Sequence, residues 1–166
     1  MLKNSINIIL KVVLVIVIYL LQIYVFNNIG LFGVTGNLVL AFVIVTVMTN
    51  NMLNSCIIAG VCGAISDILF CDTVAKYLVI YLLTAAILES LKRVYKQDTK
   101  SAIILYVVLG VLVSEILIGI FNLFNTGVFI NVYAYFKIII KQIIIDICLA
   151  FLIYIIISKI DKGVER

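Results

Sequence analysis

The sequence has no proline, no tryptophan and no histidine, and only 12% of its 166 residues are charged. Each shortage closes a route. Without histidine no imidazole can act as base for a serine nucleophile or complete a zinc site. The shortage of charge, set against 66% hydrophobic residues and a mean hydropathy of +1.34, excludes a water-soluble fold. Soluble domains carry roughly 45–50% apolar and about 25% charged residues. The four cysteines, Cys56, Cys62, Cys71 and Cys148, form no C-x-x-C pair and read as small apolar fillers of helices. No phosphate-cradling loop is present, because Gly60 and Gly63 sit inside an apolar run with no lysine after them. Without tryptophan, anchoring at the membrane interfaces falls to tyrosine, at Tyr19, Tyr24, Tyr77, Tyr81, Tyr95, Tyr133 and Tyr135 among others.

What is there is a chain of apolar runs. Each membrane crossing takes about 20 mostly apolar residues, so six would use most of the sequence and leave no room for a soluble domain. The predicted fold class is all-α, a single transmembrane domain over residues 1–166 with spans at about 12–29, 37–49, 52–70, 77–91, 102–124 and 135–158. The second is short, and the uncharged break Thr49-Asn50-Asn51 leaves open a tight hairpin with the third or a partly re-entrant element. The N-terminus has the basic start and apolar run of a secretory signal but no small-x-small cleavage site, so it reads as an uncleaved first span.

Basic residues are retained on the cytoplasmic face. With the N-terminus inside, Lys3, Lys11, Lys92, Arg93, Lys96, Lys100, Lys159, Lys162 and Arg166 all fall on the inner side, and Lys76 and Lys137 on the outer. This asymmetry predicts an even number of spans with both termini cytoplasmic. The net charge of +4 lies beside apolar segments instead of forming a basic-aromatic surface, so it marks topology and contact with anionic lipid, not nucleic acid.

The polar residues inside the spans carry what functional signal there is: Gln22, Asp67, Glu115, Lys141, Gln142 and Asp146. Such residues face the bundle interior and pair. Counted at about 1.5 Å per residue from the expected outer ends, Asp67 lies roughly 5 Å deep, Lys141 and Gln22 about 10 Å, Glu115 about 13 Å and Asp146 near the midplane. Lys141 is placed to neutralise Glu115, and Gln142 shares a helix face with Asp146. The first reading of this cluster is a paired network that fixes helix order; the alternative is a transport or catalytic site. Asp67 and Asp146 are formally a carboxyl pair of the kind an intramembrane aspartyl peptidase needs, but their depths differ by about 10 Å. In the third span, Ala59, Gly63 and Ser66-Asp67 fall on one face with Gly60 and Ala64 beside it, a small-residue surface suited to close helix packing. Gly110, Ser114 and Gly119 offer the fifth span a weaker one.

Three local features give the chain a family likeness: Leu21-Gln22 followed by Asn27-Asn28-Ile29-Gly30, then Gly36-Asn37-Leu38-Val39-Leu40, then Ala59-Gly60 to Gly63 to Asp67-Ile68-Leu69. In these, and in length and span layout, the chain resembles the MreD family of rod shape-determining membrane proteins. It departs from that family in lacking the usual proline and in having Asp72-Thr73-Val74-Ala75-Lys76 where a glycine-bearing stretch is expected. The resemblance implies a non-enzymatic scaffold without cofactors in the bacterial inner membrane, required for rod shape and lateral peptidoglycan synthesis. Its partners would be an MreC-like bitopic membrane protein, an MreB-type cytoskeleton and the peptidoglycan synthases. It assigns Asp67 as the family aspartate, with Gln22, Ala59, Gly60 and Gly63 as structural or partner-packing positions; Glu115, Lys141 and Asp146 join them on burial alone. The six-helix layout is also similar to the substrate-binding S-components of energy-coupling-factor vitamin transporters. That alternative would place a ligand pocket near the outer face and use Ala59 and Gly63 to dock a transporter partner.

Overall fold

The computed structural model describes residues 13–26, 34–70, 75–94, 100–126 and 132–165. Among them the backbone is helical almost throughout, in six helices: α1 (Val13–Val25), α2 (Leu38–Thr49), α3 (Met52–Phe70), α4 (Lys76–Val94), α5 (Lys100–Thr126) and α6 (Val132–Glu165). Helix α3 and the stretches Ala102–Phe124 of α5 and Phe136–Ile160 of α6 are long and apolar enough to cross a membrane. Helix α4 has the length, at 19 residues, but carries Lys76, Glu89, Lys92 and Arg93. Over Gln22–Phe26, overlapping the end of α1, the backbone is wound as a π-helix.

Helix α2 is the centre of the bundle. Its sequence, LVLAFVIVTVMT, is apolar on every side, and a helix without a polar face is stable only when enclosed. Every residue from Leu38 to Val47 is buried, with α3, α4, α5 and α6 all packed against it. At 12 residues it is about 18 Å long, well short of the roughly 30 Å hydrocarbon core, so its two polar ends must be satisfied inside the protein. The other helices turn apolar side chains outward instead, among them Leu53 and Ile68 of α3, Phe124 of α5 and Ile144 of α6. This inverted pattern is that of a bundle solvated by lipid.

Small residues set how closely the helices approach. Gly63 rests directly on the backbone of α4, where a Cβ would lie 2.8 Å from the amide nitrogen of Leu78 and from the carbonyl oxygen of Tyr77. Ala59, Gly63 and Ser66 of the expected face are buried, together with Ser55 and Cys62, and Gly60 beside them touches the Leu82 side chain of α4. On α5, Gly110 fits between Ile44 of α2 and Leu88 of α4, Ser114 is buried and Gly119 is half-buried.

The tyrosines depart from the expectation of interfacial anchors. Tyr24 is exposed, but Tyr19 and Tyr81 lie inside the bundle at 6% and 2% exposure. Tyr19 donates to the carbonyl oxygen of Cys62 and lies 3.0 Å from Ser66 Oγ, tying α1 to α3. The hydroxyl gives each ring a reason to be inside that the sequence pattern does not reveal. The side chains of Tyr95, Tyr133 and Tyr135, and Cys71, lie outside the described residues.

Candidate functional site

The extended segment leading into α2 brings the buried polar residues together. Asn37 caps α2, its side chain accepting from the Leu40 amide at 2.9 Å, as a short polar side chain at a helix start does. Gln22, on the π-turn of α1, clamps the same turn from the other side. Its Oε1 accepts from the Leu38 amide at 2.8 Å, and its Nε2 donates to the Gly36 carbonyl at 3.2 Å. Asp146 of α6 completes the arrangement by accepting from the Asn37 amide at 2.9 Å. Gly36 is held against α6, where a Cβ would come within 2.7 Å of Ile145 Cγ2.

Three partners from three directions therefore occupy the amino end of α2, whose unpaired amides and dipole favour a negative or acceptor group. Asp146 is 0% exposed, and its second carboxyl oxygen is one of three buried side-chain atoms, with Thr84 Oγ1 and Tyr106 OH, that find no hydrogen-bond partner among the described residues.

Beside this joint is a cavity of about 410 Å³. It is lined by Gln22, Asn37, Tyr77, Tyr81, Glu115 and Gln142, with Thr35, Gly36, Val39, Phe70 and Ile118 filling the rest of the wall. The Tyr77 and Tyr81 rings are 5.7 Å apart and tilted by 45°, and the Tyr81 hydroxyl is within 3.4 Å of both polar atoms of the Asn37 side chain.

Asp67 does not line the cavity. Its two carboxyl oxygens accept from the first amides of α4, Tyr77 N at 2.6 Å and Leu78 N at 3.0 Å, so it caps a neighbouring helix across a turn in which Ala75 has φ 64°. Gly63, one turn earlier on α3, lets the α4 backbone come close enough for this bond pair. The glycine and the aspartate thus form one joint. Ala59 is fully buried beside it, and the Ala59–Gly63 region is occupied within the chain. Lys141 is half-buried on α6; neither it nor Glu115 lacks a partner. Of the three carboxyls, Asp146 closes the amino end of α2, Glu115 lines the cavity and Asp67 is set apart at the head of α4.

A second polar joint, at the other end of α2, escaped the sequence reading. Lys92 of α4 donates to the carbonyl oxygens of Val47 and Asn50, each at 2.7 Å, neutralising the negative end of the helix. Glu89, 5% exposed, accepts from Ser55 at 2.9 Å and pairs with Lys92 at 3.8 Å. The usable signal was the i,i+3 spacing of Glu89 and Lys92 at the end of an apolar run; it was hidden because Lys92 counts equally well as a topology marker.

Compared with known proteins, the chain matches no family model, and no characterised protein or solved structure is significantly similar to it.

Proposed function

We propose that the chain is a six-span protein of the bacterial cytoplasmic membrane, with both termini cytoplasmic, that serves as a non-enzymatic scaffold of the machinery for rod-shaped elongation and lateral peptidoglycan synthesis. Its partners in this reading are an MreC-like bitopic protein and, through the complex, an MreB-type cytoskeleton and the wall synthases. The observation that supports it is the α3–α4 joint. The residues that carry the MreD likeness, Gly63 and Asp67, hold two helices in fixed contact, which is work suited to a part whose task is to keep its shape.

Depletion in the native host is expected to turn rods into swollen or round cells, and the protein is expected to co-purify with an MreC-like partner. Normal shape after clean deletion would sink the reading. The orientation is checked separately: a fluorescent protein fused after Arg166 should fluoresce, and a phosphatase that works only outside the cytoplasm should be inactive there.

The cavity favours a second reading, the substrate-binding component of an energy-coupling-factor transporter. Pockets of about 300–1,000 Å³ are the usual size for small ligands, and the 410 Å³ space with its polar lining falls in that range. Gently purified protein would then carry a stoichiometric small molecule, whereas reproducibly empty protein would count against it.

A further inference from the structure

Helices α2 and α3 leave the same turn, Asn50–Asn51, and pack together. Because α3 has 19 residues and α2 has 12, α3 outruns its neighbour by about 10 Å. The cavity occupies that difference in length: Asn37 at the head of α2 and Phe70 at the end of α3 both line it. Thr35 and Phe70 on its wall are exposed, whereas Gln22, Glu115 and Gln142 on the same wall are each less than a tenth exposed. The space therefore runs from an open rim to a polar interior.

None of those three polar side chains is free to select a ligand. Gln22 holds the turn before α2, Gln142 is bonded to Asp146, and Glu115 has a partner of its own. Yet a side-chain amide or a carboxylate has more hydrogen-bonding positions than one or two protein partners fill. A lipid tail in this space would lay hydrocarbon against the polar wall and strand the remaining positions. Water satisfies them, and 410 Å³ has room for on the order of ten molecules.

We propose that the cavity is a water-filled vestibule that opens on the outer face of the membrane and carries water down to the head of α2, so that the insulating layer is reduced there to about the 18 Å length of that helix. The side on which it opens rests on the orientation proposed above; that it holds water does not.

A cysteine at a wetted position ionises and reacts with a water-soluble thiol reagent, whereas one facing lipid stays a thiol and does not. Ile118, on the cavity wall, and Ile116, exposed on the outside of the bundle, are two residues apart on α5, at nearly equal depth and on opposite sides of the helix. The test uses the full-length chain in sealed right-side-out membrane vesicles, with Cys56, Cys71 and Cys148 replaced by alanine and the buried Cys62 retained. Ile118→Cys should react with a membrane-impermeant quaternary-ammonium methanethiosulfonate at least about tenfold faster than Ile116→Cys. Each variant must match the Tm of the parent without the added cysteine. Where Ile118→Cys does not fold, Phe70→Cys on the cavity wall against the exposed Ile68→Cys makes the same comparison on α3. Lys159→Cys, exposed near the end of α6, reports the orientation and should react only after the vesicles are made permeable. Equal rates within the deciding pair, with Lys159→Cys protected as expected, overturn the proposal. If Lys159→Cys reacts in sealed vesicles while Ile118→Cys outpaces Ile116→Cys only in permeable ones, the cavity holds water and it is the orientation that fails.

Discussion

Replacing Asp67 by alanine leaves the Tyr77 and Leu78 amides without their partner, in a joint walled by apolar helices. A hydrogen bond to a charged group contributes about 1.5–3 kcal/mol, and loss of a helix cap costs about 0.5–2 kcal/mol. Two such bonds lie within 3.0 Å, but Asp67 is only half-buried, which argues for the lower part of the summed range. The expected loss is therefore about 2–4 kcal/mol, or roughly 30- to 1,000-fold in the folded-to-unfolded ratio. Asp67→Asn retains one acceptor oxygen and should fall between, at about 1–2 kcal/mol. Reversible unfolding in mixed micelles, followed by far-ultraviolet circular dichroism, measures both against Lys159→Ala, an exposed control expected within about 0.5 kcal/mol of the native chain. If Asp67→Ala is as stable as that control, the carboxyl does not hold α4 and the reasoning built on this joint fails.

Gly63→Ala should cost about 1–3 kcal/mol by forcing α3 and α4 apart, and a cysteine cross-link designed between them should form less readily in the variant. Lys92→Met should destabilise by about 2–3 kcal/mol, because it strips the carbonyl end of α2 and leaves Glu89 buried beside an apolar chain. The double variant Glu89→Gln with Lys92→Met should lose less than the sum of the two singles, a coupling that a double-mutant cycle reads directly. Thr84→Val should be neutral or stabilising by up to about 1 kcal/mol, since the hydroxyl it removes is buried without a partner among the described residues; a clear loss of thermal stability would show that the hydroxyl is satisfied.

The sequence makes helices legible wherever apolar residues run without charge, and their number and order follow from the polar breaks. It also identifies which polar residues are buried: Gln22, Glu115, Gln142 and Asp146 are each less than a tenth exposed. What it cannot supply is the third dimension. Asp67 and Asp146 look alike as carboxyls in apolar runs, yet one caps α4 and the other caps α2, because the choice depends on which amide nitrogens the packing brings within 3 Å. The enclosure of α2 was readable as the lack of any polar face, but its shortness was equally consistent with a re-entrant element until its neighbours were in place. Glu89 was missed because its charge lies next to a run of basic residues that explains itself as a cytoplasmic turn. Tyr19 and Tyr81 were misplaced because a tyrosine ring suits an interface as well as a core, and only the hydroxyl partners, Ser66 and Asn37, tell the two apart.

The caps of α2 also order the protein's birth. The helix leaves the ribosome after α1, but the side chains that close its ends arrive on either side of it: Gln22 before, Lys92 two helices later in α4, and Asp146 only in α6. A nascent chain halted before α6 therefore holds a finished apolar rod whose Asn37 amide still lacks its Asp146 acceptor, a state that invites a chaperone or an insertase to shield it. Completion of the fold waits for α6, and a chain cut short within α6 ahead of Asp146 should be recognised as unfinished and degraded even though its central helix has long been made.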